Sequence, residues 1–302
     1  MRKPWLIYAL ITTGFWGVWG AFAEFPTRHG FPETLVYVVW TLTMIPPALY
    51  AMQRVGWRVQ RDSRSVLLGA LIGFTGAGGQ MLLFHAVHTG PTYLIFPIIA
   101  LSPVVTIGLS MVFLKERVGK VGAIGVLLAL IALPLFNYSP GSGEAGASGG
   151  MQGVTWFVYA LIILLAWGVQ GYFMKLANAT MDAENIFFYM TLTSLLLIPV
   201  ALGMTDFSIP INYGWQGPGL AAITQILNAI GALTLVYAFR FGRALVVAPL
   251  ANAGAPMITA VVSMIVLAVM PNTVTIVAIG LAFLAAALLA MEPEEKLVEQ
   301  PV

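Results

Sequence analysis

The chain is written twice, and that constrains its fold more than any other feature. At an offset of 152 residues Gly79 pairs with Gly231, Leu83 with Leu235, Ala86 with Ala238, Gly90 with Gly242 and Pro97 with Pro249. One inserted residue moves the offset to 153, where Pro103, Thr106, Ser110 and Met111 meet Pro256, Thr259, Ser263 and Met264; after a further insertion Gly125 meets Gly280. Nearer the start of each half, Trp16-Gly17-Val18, Gly20 and Phe22 match Trp167-Gly168-Val169, Gly171 and Phe173 at an offset of 151, which is half of the 302 residues. The duplication therefore runs through the whole chain.

What is duplicated is apolar. Soluble domains carry roughly a quarter charged residues, whereas this chain has 9% charged and 59% hydrophobic residues and a mean hydropathy of +0.90. It reads as an all-α polytopic membrane protein. About 20 apolar residues cross a bilayer as a helix, and on that ruler ten spans are expected: 4–23, 34–52, 66–87, 92–114, 119–137, 154–175, 184–204, 218–239, 244–267 and 273–291. Arg2-Lys3 followed by apolar residues is read as the start of the first span, because no small-residue cleavage site introduces a soluble domain. Residues 139–152 hold the Gly/Ser-rich run SPGSGEAGASGG, read as a flexible linker between a five-helix repeat at 1–138 and a second at 153–291, with a tail at 292–302.

Cations in short loops orient such a chain, because Lys and Arg are retained on the cytoplasmic side. With both termini in the cytoplasm, every Lys and Arg except Arg28 falls inside. Five spans per copy is an odd number, so the second copy is expected to enter the membrane upside down. The loops agree: His88-Thr89-Gly90-Pro91, placed outside, corresponds to Arg240-Phe241-Gly242-Arg243, placed inside. Lys115-Glu116-Arg117, inside, corresponds to Met270-Pro271-Asn272, outside. Two inverted halves are a recurring design of secondary transporters.

The run Ala86, Gly90, Ser102-Pro103-Val104 and Phe113-Leu114-Lys115-Glu116-Arg117, followed by a Gly-rich fifth span and preceded by Trp16-Gly17, resembles the EamA-like domain of the drug/metabolite transporter superfamily. The resemblance covers both halves. The second departs from it, with Ala255-Pro256-Met257 and no Glu-Arg pair. It implies ten helices in two inverted five-helix repeats around a central cavity, and movement of small metabolites across the cytoplasmic membrane, commonly outward, without implying a particular substrate; the solute expected here is an amino acid or similar amphipathic metabolite.

Polar groups inside the spans are the candidates for solute binding, since a carboxamide facing lipid lacks partners. Gln225 and Asn228 share a helix face; Gln80, Gln170 and Asn252 lie within about two turns of their helix centres. The competing reading for each is helix-to-helix hydrogen bonding, worth roughly 0.6 kcal/mol in membranes. Trp16, Trp19 and Trp167 lie too deep for an interfacial belt and either wall a solute path or pack as ordinary aromatics. Glu24 and His85 are the candidates for proton coupling; the alternative is a solvated helix end for Glu24 and a local hydrogen bond for His85. His85 and His88 have helical spacing without a nearby carboxylate or thiol, so no metal is expected.

The leading expectation is a secondary transporter working by alternating access as a monomer, without cofactor, its partners a small-molecule solute and the lipid bilayer. A net charge of +2 and zero cysteines give no support for nucleic-acid binding, a disulfide framework or thiolate chemistry. The alternatives are a channel, or an enzyme acting on a small or lipid substrate. Against the enzyme, Asp62, Asp182 and Asp206 fall in expected loops, and no His-Glu-x-x-His helix or nucleotide-binding Gly-rich loop is present.

Overall fold

The structure, a computed structural model, describes residues 3–89, 95, 98–136, 155–266 and 272–291. The expected linker at 139–152 and the tail at 292–302 lie outside the described residues. The described residues are mostly helical, without a strand among them. In chain order the helices are α1 (Pro4–Phe22), α2 (Phe25–Arg28), α3 (Glu33–Thr43), α4 (Ile45–Arg54), α5 (Ser63–Thr89), α6 (Ser102–Phe113), α7 (Lys120–Phe136), α8 (Thr155–Ala177), α9 (Ala183–Leu196), α10 (Ile198–Gly203), α11 (Leu220–Phe241), α12 (Ala244–Val266) and α13 (Thr273–Ala290). Among the described residues eight stretches are long and apolar enough to cross a membrane, and α6 and α7 are shorter apolar helices. The chain is thus a multi-pass membrane protein.

The second and seventh expected spans are each two helices. α3 gives way to α4 at Met44 and α9 to α10 at Leu197. The next residues are Ile45-Pro46 and Ile198-Pro199, equivalent at an offset of 153. Proline has no N–H and its ring crowds the preceding turn, so it bends a helix where it stands. The bend is a repeated feature, written into both copies.

Helix pairing runs between the halves. α1 packs on α11 and α12, α8 packs on α5 and α6, and α7 pairs with α13. The contacts themselves recur with the sequence repeat. Trp16 Nε1 donates to the Asn228 carbonyl at 3.2 Å, and Trp167 Nε1 donates to the Gly76 carbonyl at 3.2 Å. Thr259 Oγ1 donates to the Gly17 carbonyl at 2.8 Å, and Thr106 Oγ1 to the Gly168 carbonyl at 2.8 Å. A Cβ at Gly17 would collide with Ile258 and one at Gly168 with Val105; these glycines bring helices into close contact. In lipid, where apolar burial does not drive helix association, small residues and interhelical hydrogen bonds do so.

Segments carrying basic residues meet at one end of the bundle. Lys3 Nζ donates to the Ala290 carbonyl at 2.7 Å, linking the start of α1 to the end of α13. Asn185 Nδ2 donates to the Arg58 carbonyl, and Arg240 to the Met181 carbonyl. Arg243 donates to the Arg117 carbonyl at 2.7 Å. At the same end Lys115 takes a positive φ of 55°, which reverses the chain after α6 and returns Glu116 to the bundle. Glu116 accepts from the backbone N–H groups of Ala244 and Leu245, 3.1 Å each, capping α12 from the opposite half. Lys175, at the end of α8, lies 3.9 Å from the same carboxylate. The opposite end is closed by the Asn212 N–H, which donates to the Gly30 carbonyl at 3.0 Å, and by Thr34 with Thr205 at 2.7 Å.

Candidate solute site

Three tryptophans converge on one face of α11. Trp16 and Trp19 stand three apart on α1 and share a face; Trp40 comes from α3. Trp19 Nε1 donates to Gln225 Oε1 at 3.2 Å, and Trp40 Nε1 donates to Asn228 Oδ1 at 3.0 Å. The Trp16 ring lies over Gly231, where a side chain would displace it, and its N–H takes the Asn228 main-chain oxygen. The cluster joins α1 and α3 of the first half to α11 of the second.

Its electrical polarity follows from the donors. An indole N–H only donates, so the carboxamide atom facing it is the oxygen. Each amide oxygen is therefore held by a ring, and each NH2 is turned away from it. No described residue accepts from either NH2, and neither nitrogen is sealed in the core. Gln225 as a whole is only 5% exposed, while Asn228 is half-buried. The result is two NH2 groups, three residues apart on α11, without an acceptor among the described residues.

The equivalent position in the other half has been rebuilt. Trp167 repeats the Trp16 contact, but the partner of Trp19 is Gln170 and the partner of Asn228 is Gly76. The Gln170 carboxamide lies over Gly76, so the amide comes from α8 and faces a glycine on α5. Gln80 is half-buried one turn further along α5.

Other expected residues fall elsewhere. Asn252 Nδ2 donates to the Ala248 carbonyl of its own helix at 2.9 Å and makes no hydrogen bond to the tryptophan cluster. Glu24 pairs with Arg28 at 2.8 Å, four residues away, with side chains 73% and 67% exposed respectively. That is a solvated helix end. His85 lies on α5, and its side chain is outside the described residues. A hollow of about 350 Å³ opens beside α1, lined by Ile11, Gly14, Phe15, Val18, Leu227 and Ile258, with none of the expected amides in its wall. Among the described residues no group of three His, Cys, Asp or Glu side chains could hold a metal ion.

Trp40 and Glu116 were missed as working residues. Trp40 was legible only as one more aromatic of the second span, since nothing local ties it to Asn228. Glu116 was legible as a landmark of a resemblance, with no hint that it caps a helix 128 residues away.

With this fold and cluster, the chain is a membrane transporter of the kind built from two related helical halves. Residues 3–138 and 154–291 each match the EamA-like transporter family, and the chain belongs to it, within the drug/metabolite transporter superfamily. It is 23% identical over 266 residues to Protein RarD of Streptomyces exfoliatus, covering 84% of this chain and 76% of that protein. It is also 23% identical over 134 residues to an uncharacterised protein of Methanocaldococcus jannaschii, covering 44% of this chain and 96% of that one; the archaeal protein is about the size of one half. A solved crystal structure shares the fold with a TM-score of 0.76 at 16% identity, covering 96% of this chain and 98% of the other.

Proposed function

We propose that this protein is a secondary transporter that exports a small amphipathic metabolite, an amino acid or similar solute, across the cytoplasmic membrane by alternating access. In this reading ten spans form two inverted halves, both termini are cytoplasmic, and one chain suffices without a cofactor or a second copy. Support for inversion comes from α1 starting, and its repeat partner α8 ending, at the end where the basic segments meet. Retention of Lys and Arg on the cytoplasmic side makes that end the inner one.

The observation that carries the reading is the indole–amide cluster. It lies where one half meets the other, as a substrate site must if each compartment is to reach it in turn. Gln225 and Asn228 hold the solute, Trp16 and Trp19 wall it, and Gln80, Gln170 and Trp167 supply the counterpart from the second seam; Asn252 lines the path on α12. Of the two acid or histidine candidates, His85 is the residue through which a proton would couple, since Glu24 is exposed and paired with Arg28.

The experiment is counterflow in liposomes containing purified protein. Preloaded unlabelled solute should drive uptake of labelled solute, which a carrier permits and a channel does not. Gln225→Leu or Asn228→Leu should lower saturable exchange at least tenfold, since an unpaired polar group of the solute then meets hydrocarbon. Unaltered exchange in both variants would remove the site assignment.

A further inference from the structure

We infer that Gln225 and Asn228 form a donor pair that recognises a carboxylate or carbonyl oxygen of the solute, and that Trp19 and Trp40 are positioning residues that set this polarity. The inference rests on the site proposed above and names the chemistry it takes.

A carboxamide alone is indifferent to sign, because it carries an acceptor and a donor and can turn to present either. Here the turn is blocked. Trp19 Nε1 and Trp40 Nε1 sit 3.2 and 3.0 Å from the two amide oxygens, and rotating either amide would set an NH2 against an N–H. Each oxygen already accepts one indole N–H, whereas neither NH2 has an acceptor among the described residues, so the hydrogen-bonding capacity left to offer is mainly N–H. Three residues apart on α11, the two NH2 groups lie on one helix face and can reach the two oxygens of one carboxylate or a single carbonyl. Hydrogen bonds to a charged acceptor are about twice as strong as neutral ones, and more so away from water.

The distribution of acids points the same way. None of the described Asp and Glu residues, Glu24, Glu33, Asp62, Glu116, Asp182, Glu184 and Asp206, lies in the middle of a helix. An ammonium group brought to this cluster would meet two donor groups and no anion; only the indole faces and the second lone pairs of oxygens already bonded to an indole would receive it. A site with donors and no counter-anion selects against a bare cation.

The test uses the full-length protein in detergent and in liposomes, with short aromatic and aliphatic carboxylates, 3-phenylpropionate among them, each paired with the primary amine of the same skeleton. Thermal stabilisation and inhibition of exchange are read for each pair. The carboxylate should act at a concentration about tenfold lower than its amine, the discrimination expected where a buried polar group is matched in one ligand and left unpaired in the other. Asn228→Asp and Gln225→Glu keep an oxygen for the indole and delete the NH2; each should abolish or reverse the ratio. Trp40→Phe keeps a ring but frees the Asn228 amide to turn; the ratio should fall to within about threefold while binding persists, which loss of structure alone would not produce. Equal or stronger action of the amines, an unchanged ratio in the acidic variants, or failure of every carboxylate to act on the wild type would overturn the inference. Loss of both ligands alike in the acidic variants would overturn the polarity and leave the site standing. Full retention of both would remove the site itself.

Discussion

Lys175 Nζ stands 3.9 Å from the Glu116 carboxylate, and the two residues come from opposite halves of the chain. Their side chains are 12% and 3% exposed. Lys175 also donates to the carbonyls of Phe239 and Gly242 at 3.2 and 2.8 Å. One carboxylate thus ties the turn after α6 to the start of α12 and the end of α8. Removing one member of a buried pair leaves the other charge uncompensated, a loss of about 3 kcal/mol or more, and here the α12 cap goes with it.

Glu116→Ala should therefore destabilise the protein by about 3 kcal/mol, seen as a lower Tm in detergent. Glu116→Gln retains an acceptor for one backbone N–H and should lose about half as much. Combining Glu116→Ala with Lys175→Met should cost less than the two single changes added, because no charge is stranded. Strict additivity would mean that the pair does not act as a unit.

The glycines of α1 should divide sharply. A Cβ at Gly17 would strike Ile258, whereas one at Gly14 meets nothing within 4 Å. Gly17→Ala, and equally its repeat partner Gly168→Ala against Val105, should lower stability by about 1–3 kcal/mol through overpacking. Gly14→Ala should be neutral or mildly stabilising, as expected for Ala over Gly in a helix. Thermal unfolding of the three variants checks the contrast.

The absence of native cysteine allows sidedness to be read from single cysteines. Ser63→Cys and Lys120→Cys, both exposed, should react with a membrane-impermeant maleimide only from the cytoplasmic side. Ser208→Cys, exposed on the loop before α11, should react only from outside. Reaction of Ser63 and Lys120 from opposite faces would break the inverted arrangement.

Glu24→Gln should leave transport and its pH profile unchanged. The carboxylate is largely exposed and paired with its own neighbour Arg28, so it meets one aqueous phase, and an exposed pair of this kind contributes about 0–1 kcal/mol. A flattened pH profile in the variant would instead make Glu24 the proton carrier.

The helical segments were legible because their causes are local. Length, apolar composition and loop cations are read residue by residue: 184–204 is shifted by one residue from the stretch Ala183–Gly203, and 273–291 runs one residue past Thr273–Ala290. The repeat also showed which residues would play matching parts: Trp16 and Trp167 make the same contact at the same distance. The Ile-Pro bends at Pro46 and Pro199 were equally present in the sequence, hidden only because a 20-residue apolar ruler does not register a bend.

Partnership was not legible. That α1 docks on α11 and α12, that Trp40 holds the Asn228 oxygen 188 positions away, and that Glu116 caps α12 are long-range matters. Apolar helices in lipid carry little in their own sequence to say which neighbour they will choose, because lipid tails satisfy them as well as another helix does. The sequence by itself thus determined a membrane-crossing, duplicated chain and which end gathers the cations. Only the tertiary structure, by bringing donor-only indoles against two carboxamides, decided that the oxygens of those amides are bonded while their NH2 groups have no acceptor among the described residues.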